Sequence, residues 1–196
     1  MKHRRTQGFS LLELMTVIAI MVIIMTGLTM SVTGFMRSHQ LTKGASLVKD
    51  HLVLARQMAI SGNVHVTFNL CRVPAGPTGT YSAIFLSKVG PTGDPIPITG
   101  LLRFPPNILV TEDESWSNLM TTPTETVTAP GVNAPIEAKQ IVFRPSGGMT
   151  TDYTNTTQCF FTVFYSTDAA AVPDTSTNFV TMDINPITGR IISYQP

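Results

Sequence analysis

The chain has 196 residues, 43 % of them hydrophobic and only 13 % charged, with 13 basic and 12 acidic side chains and a formal net charge of +1. That length allows one ordinary domain plus an appendage and excludes two large domains. The low charge, with a mean hydropathy of +0.19, excludes a wholly water-facing chain, and the near-even charge balance excludes a strongly basic nucleic-acid binder.

Residues 1–8, "MKHRRTQG", make a basic leader with Lys2, Arg4 and Arg5 and no acid. From Phe9 to Val32 the only strongly polar group is Glu13, and Val17 to Met25 is apolar without a break. As helix, that run covers roughly 36 Å, enough for a hydrocarbon core of about 30 Å. Residues 9–34 are therefore expected to form the transmembrane half of an N-terminal helix. The basic flank predicts a cytoplasmic N-terminus and an extracytoplasmic remainder, a single-pass protein of the inner membrane. An ordinary secretory signal would need a small-residue cleavage site after the apolar core. The stretch "TGLTMSVTGF" (26–35) supplies only an imperfect one.

The small residue stands before the apolar run instead, at Gly8. "GFSLLELMTVIAI" (8–20) resembles the processing site of the type IV pilin superfamily, and Gly8, Phe9 and Glu13 match that motif residue by residue. The resemblance implies that prepilin peptidase cuts after Gly8 and methylates the new N-terminal Phe9. The apolar segment then stays on the mature protein and packs with other pilin or pseudopilin subunits.

Cleavage would also account for Glu13. A carboxylate at membrane depth costs about 3 kcal/mol on insertion scales and needs a partner. The new α-amine on Phe9 would be largely protonated near neutral pH and would lie at i, i+4 from Glu13. Glu13 would also occupy the first helical turn, where the dipole favours negative charge. The amine could belong to the same subunit or to a neighbour; the resemblance implies the neighbour, making Glu13 an assembly residue. In the competing reading, Glu13 snorkels at headgroup level on a plain membrane anchor.

Beyond the membrane, Leu41, Ala45, Val48, Leu52, Ala55 and Ala59 recur at helical spacing, an amphipathic stripe over 35–60. A helix from Phe9 to about Ile60 would be roughly 78 Å long. Gly27, Gly34 and Gly44 are expected weak points in it, and "SGN" (61–63) is its stop signal.

From Val64 the period changes to alternation. Strands are expected at 64–70, 80–87, 101–104, 107–112, 140–144, 158–165, 178–184 and 190–194, separated by loops rich in Pro, Gly and Thr. Residues 61–196 therefore read as one mostly antiparallel β domain, and the whole chain as an α+β fold with a long N-terminal helix packed on the sheet. "IVFRPSGGMT" (141–150) and "MDINPITGRIISYQP" (182–196) resemble elements of the pseudopilin H and FimT-like minor pilins, which strengthens the pilin-like expectation. The chain departs from major pilins in having no proline within the apolar run and no C-terminal cysteine pair. Residues 111–135 read as a long, exposed, variable loop.

Cys71 and Cys159 are the only cysteines. Each stands near a strand end, and an extracytoplasmic compartment would permit them to bridge, so they form a candidate disulfide; two buried thiols are the alternative. Enzyme signatures are missing: His3, His39, His51 and His65 form no H-E-x-x-H, there is no C-x-x-C or G-x-S-x-G, and "GPTG" (76–79) lacks the rest of a phosphate loop. The chain is expected to be non-catalytic and to need no cofactor. Glu112, Asp113 and Glu114 are a candidate Ca²⁺ cluster, weighed against a solvated acidic patch.

Nucleic acid is the main competing partner, since some FimT-like minor pilins serve DNA uptake. Removal of residues 1–8 takes Lys2, Arg4 and Arg5 from the 13 basic residues, leaving fewer basic than acidic side chains. Local contacts by Lys139, Arg144 and Arg190 stay open, with Arg190 and Arg144 the candidate DNA-contacting residues. The expected function is a non-catalytic minor subunit of a type II secretion pseudopilus or type IV pilus-like filament. The alternatives are a DNA-binding competence-type minor pilin and a membrane-anchored binding module outside any filament.

Overall fold

The computed structural model describes residues 10–73, 81–90, 93–150, 159–165 and 178–195, and the side chains of all these except 27–34. Helix α1 runs unbroken from Leu11 to Gly62, two residues later at each end than the sequence pattern expects. The chain divides within this helix into two units, one ending at Ser38 and one starting at His39.

In the first unit every described side chain from Ser10 to Thr26 is exposed. Among the described residues no helix is long and apolar enough to cross a membrane. The described part of the apolar run stops at Thr26; Phe9 and the side chains of 27–34, which the expected span includes, lie outside the described set.

In the second unit the amphipathic stripe is buried in full. Leu41, Val48, Leu52, Ala55 and Ala59 are completely enclosed and Ala45 nearly so, packed into one core with Phe68, Leu86, Ile141, Phe143, Phe161 and Val163. Enclosing a leucine-sized side chain stabilises the fold by about 1.5–3 kcal/mol, which is what holds this half of α1 to the sheet. Gly44 is not a weak point. A Cβ there would stand 2.7 Å from Cγ2 of Ile108, so the missing side chain lets the helix approach the sheet. The helix ends at Asn63, with φ of 50°. Val64 N–H donates to Ala59 O and Asn63 N–H to Ile60 O, the paired bonds of a Schellman cap with asparagine in the left-handed position.

Among the described residues eleven strands follow: β1 Val66–Arg72, β2 Tyr81–Val89, β3 Pro95–Pro97, β4 Leu102–Arg103, β5 Ile108–Val110, β6 Glu125–Val127, β7 Ile136–Phe143, β8 Met149–Thr150, β9 Cys159–Tyr165, β10 Phe179–Ile184 and β11 Ile191–Tyr194. They form one sheet in the order β11-β10-β9-β5-β2-β1-β7-β6, with β3 and β4 on β2 and β8 on β7. Every pairing is antiparallel. The α+β architecture is the expected one, a helix packed on a mostly antiparallel sheet. The short strands β3 and β6 have no counterpart in the sequence pattern, and β7 begins at Ile136 rather than at residue 140.

The sheet has a seam. β2 and β5 meet at a single pair, Tyr81 with Val110. Beside it, Asn118–Thr121 forms a short 3-10 turn that corrects the expectation of an exposed loop over 111–135. Leu119 is fully enclosed in the main core, and two side chains of this segment take the place of a strand. Phe160 N–H donates to Asn118 Oδ1 at 2.7 Å and Thr162 N–H to Ser117 Oγ at 3.0 Å, on the edge of β9 that β5 is too short to cover. A polar sequence is not a solvated one here: its polar groups satisfy backbone donors that would otherwise go unpaired.

Candidate functional site

The N-terminal motif is described from Ser10 onward; Gly8 and Phe9, the expected cleavage and methylation positions, lie outside the described residues. What is described is the helix start. Glu13 N–H donates to Ser10 Oγ at 3.2 Å, and Ser10 N–H donates to Glu13 Oε2 at 3.2 Å. This is a reciprocal capping box, with Ser10 as N-cap and Glu13 three residues on. The first helical bond, from Leu14 N–H to Ser10 O at 3.2 Å, follows from it. Thr16 Oγ1 donates to Glu13 O at 2.8 Å, which ties another polar group back to the backbone. The sequence reading assigns Glu13 to a future amine and misses the S-x-x-E spacing, which is visible in "SLLE" before an apolar run.

A second junction gathers conspicuous side chains in the sheet domain. The turn after β7 is closed by Gly147 N–H to Arg144 O and Arg144 N–H to Gly148 O. The turn after β10 is closed by Gly189 N–H to Asn185 O, with Asn185 Oδ1 accepting from Ile187 and Thr188 N–H. Met149 N–H donates to Pro186 O at 2.8 Å and joins the two turns. Arg56, from α1, donates through Nε to Gly147 O at 3.2 Å and Thr188 O at 3.1 Å. Gly189 has φ of 65°, and a Cβ on it would meet Gly147 O at 2.0 Å. Only glycine fits there.

This junction carries two of the candidate DNA-contacting residues. Arg144 and Arg190 are both exposed, one on each turn. Lys139 does not join them. It is 7 % exposed and donates to Met120 O at 2.9 Å and also to Thr122 O, across the seam and away from solvent. Burial, followed by the nearby Arg72 charge, lowers its pKa below the usual lysine value, against a smaller opposing pull from Glu112, Glu114 and Glu137. The expectation that Lys139 could help bind phosphate is corrected: the strand begins four residues earlier than expected, and this side chain serves the core.

The disulfide expectation is corrected too. Cys71 and Cys159 are both buried, and no disulfide joins them. Cys71 lies with Ala83, Phe85, Val127 and Ala138 in a second apolar cluster, whereas Cys159 lies in the main core under the helix. Leu70, the neighbour of Cys71 in β1, belongs to that main core. Alternation along the strand therefore sends Cys71 to the opposite face, and the sheet separates the two sulfurs. Burial pushes the Cys71 thiol up to about 12.

The acidic cluster is dispersed among other partners. Glu112 pairs with Arg72 at 2.8 Å, and Arg72 also holds Glu137 at 2.9 Å. Asp113 Oδ1 accepts from the backbone and hydroxyl of Ser115, which lowers its pKa. Among the described residues no group of three His, Cys, Asp or Glu side chains is placed to hold a metal ion.

Comparison with known proteins bears on the first of these regions and on the fold. Residues 3–29 match the family described as the prokaryotic N-terminal methylation motif. No curated protein matches the chain. Among solved structures, the chain is similar to the type IV minor pilin FimU of Pseudomonas aeruginosa strain PAO1, with 13 % identity, 83 % of this chain and 96 % of that chain covered, and a TM-score of 0.50. The chain thus joins a methylation motif to a pilin-like fold.

Proposed function

We propose that the protein is a non-catalytic minor subunit of a pilin-like filament, of the type II secretion pseudopilus or type IV pilus kind. The observation that carries this is one of position. The methylation motif over residues 3–29 runs directly into α1, whose distal half is sealed to the sheet by the buried stripe from Leu41 to Ala59. Leu11 to Met25 presents apolar side chains around the helix, and such a surface needs either lipid or other helices. In this reading the precursor waits in the inner membrane and prepilin peptidase cuts after Gly8. The apolar helix is then extracted into a bundle of its own kind, and Glu13 meets the α-amine of a neighbouring Phe9. Mass spectrometry of the native protein tests it. The expected mature chain begins at methylated Phe9; residues 1–8 still attached, or a cut beyond residue 30, would overturn the proposal.

A second reading, DNA binding by a competence-type minor pilin, is supported by the exposed Arg144 and Arg190 on two joined turns. It predicts a salt-dependent affinity of the full chain in micelles that Arg190→Ala weakens. No binding to duplex DNA at low salt would end it.

A further inference from the structure

We propose that the cleft between β3 and β6, on the sheet face turned away from α1, binds an uncharged saccharide ring, with the Ser87 hydroxyl as the donor at its floor. Such binding is a property of the sheet domain and does not depend on the filament reading.

Strand alternation builds the cleft. Phe68 and Leu70 on β1 and Leu86 on β2 point into the main core beneath the helix. Asn69 and Ser87, their chain neighbours, therefore point to the opposite face, where both line the cleft. β3 pairs with the far edge of β2 and β6 with the far edge of β7, so the two short strands flank this floor from opposite sides. Pro95 and Pro97 supply one wall, Thr126 and Thr128 the other, and the space between them is about 280 Å³. Phe85 and Val127, from the second apolar cluster, close its inner end.

The floor is polar and has one donor to spare. Asn69 is fully enclosed, and its amide is committed on both sides. Nδ2 donates to Ser87 Oγ at 3.0 Å and to Phe85 O at 3.4 Å, while Oδ1 accepts from Gln140 Nε2 at 3.0 Å. Ser87 is thereby held as an acceptor. It is only 3 % exposed, and among the described residues nothing accepts its own proton. A serine hydroxyl has one proton to give, and leaving a buried donor unpaired is costly. A ligand oxygen seated over Ser87 would remove that cost. Thr126 and Thr128 are exposed and add hydroxyls at the mouth that can both donate and accept.

The lining sets the ligand's chemistry by elimination. None of its residues is ionisable, so a charged ligand would give up its water for no counter-charge. A purely apolar ligand would leave the Ser87 proton unpaired. What fits is neutral, carries oxygens around its rim, and presents a C–H face to the proline rings. A pyranose has all three features. At about 280 Å³ the cleft falls just short of the range of about 300–1,000 Å³ usual for drug-sized ligands, which leaves room for one ring.

The test titrates the full chain, in micelles of a detergent without a sugar headgroup, with glucose, galactose and N-acetylglucosamine, read by saturation-transfer NMR. At least one should bind in the millimolar range expected of so small a ligand. Glucuronate and glucosamine, which carry a charge, should bind at least ten-fold more weakly. Ser87→Ala should weaken the neutral sugar about five-fold, the factor for one hydrogen bond. Thr128→Trp, which fills the mouth from an exposed position and leaves the floor alone, should abolish binding. Both variants are first checked for a wild-type unfolding transition; if Ser87→Ala fails it, Thr128→Trp decides alone. Binding by none of the three sugars, equal binding of the charged ones, or affinity unmoved by Thr128→Trp overturns the proposal. So does a cleft that passes over the sugars and takes N-acetyltyrosinamide, which would assign it to a protein side chain. Each of these results leaves the filament reading standing, since that reading is tested at the N-terminus.

Discussion

Lys139 on β7 reaches across the seam of the sheet to the carbonyl of Met120, 2.9 Å away, and so ties the end of a 3-10 turn to a strand 19 positions later in the chain. The contact joins the β1–β7 side of the sheet to the segment that lines β9. Lys139→Met keeps the apolar stem and removes the donor, leaving Met120 O and Thr122 O without it. The expected loss is about 1–3 kcal/mol, measured by urea unfolding. Amide exchange should speed up at Met120 and Thr122, whose N–H groups close the turn. Unchanged protection there would show that the turn stands without its latch.

Gly44→Ala sets two effects against each other. Alanine gains about 1 kcal/mol of helix propensity, while a Cβ 2.7 Å from Ile108 Cγ2 forces a buried β-branched side chain aside at about 1–3 kcal/mol. The variant should therefore be less stable than wild type. In an Ile108→Ala background the clash disappears and the sign should reverse, so that Gly44→Ala becomes stabilising. A double-mutant cycle by thermal unfolding reads this directly.

The thiols make a chemical and a pH prediction. Native protein should resist iodoacetamide at both Cys71 and Cys159, and protein unfolded without reductant should take up two labels, since both are buried thiols that no disulfide joins. The Cys71 pKa is raised from 9.0 to about 12 in the folded state, so above pH 9 the unfolded chain releases a proton that the folded chain keeps. Stability is fully present below pH 9 and falls as pH rises toward 12, by about 1.4 kcal/mol per unit. Between pH 8 and 10.5 the loss from Cys71 should reach about 2 kcal/mol. Cys71→Ala should flatten that part of the slope, and an unchanged slope would place the alkaline loss elsewhere.

The charge task of Glu13 is read in the assembled filament. Glu13→Gln should be cut normally yet enter filaments poorly, with a drop of about ten-fold or more for an unmet charge in apolar surroundings. Quantitative immunoblotting of sheared filaments against total membrane measures it. Full incorporation of the glutamine variant would remove charge from the assembly step.

Much of this fold is foreseeable where one kind of side chain repeats. The stripe from Leu41 to Ala59 is buried as its spacing demands, because a helix that must cover a sheet has few other ways to arrange six apolar residues. Asn63 closes that helix where "SGN" stands. The misreadings share a different cause: polar residues whose partners are distant in sequence and buried in space. Ser117 and Asn118 read as loop because their strand-like partners on β9 lie more than 40 positions away. Lys139 reads as surface because a lysine in a strand is usually solvated, and its acceptors are backbone carbonyls that no sequence pattern displays. The capping box of Ser10 and Glu13 is the opposite case, a local pattern in plain view whose long-range meaning alone is read from the motif.

The Arg56 clamp on Gly147 O and Thr188 O bears on how the domain comes apart. It joins residues 91 and 132 positions away, so its loops must close before it can form, and closures of that length come after the local contacts of helix and hairpins. A bond made late on the way in is broken early on the way out. Arg56→Ala should thus accelerate unfolding in stopped-flow denaturant jumps while refolding keeps its wild-type rate, and slowed refolding would mean that the clamp belongs to the nucleus. For a subunit pulled by its helix, resistance at that clamp would set how long the head survives the load.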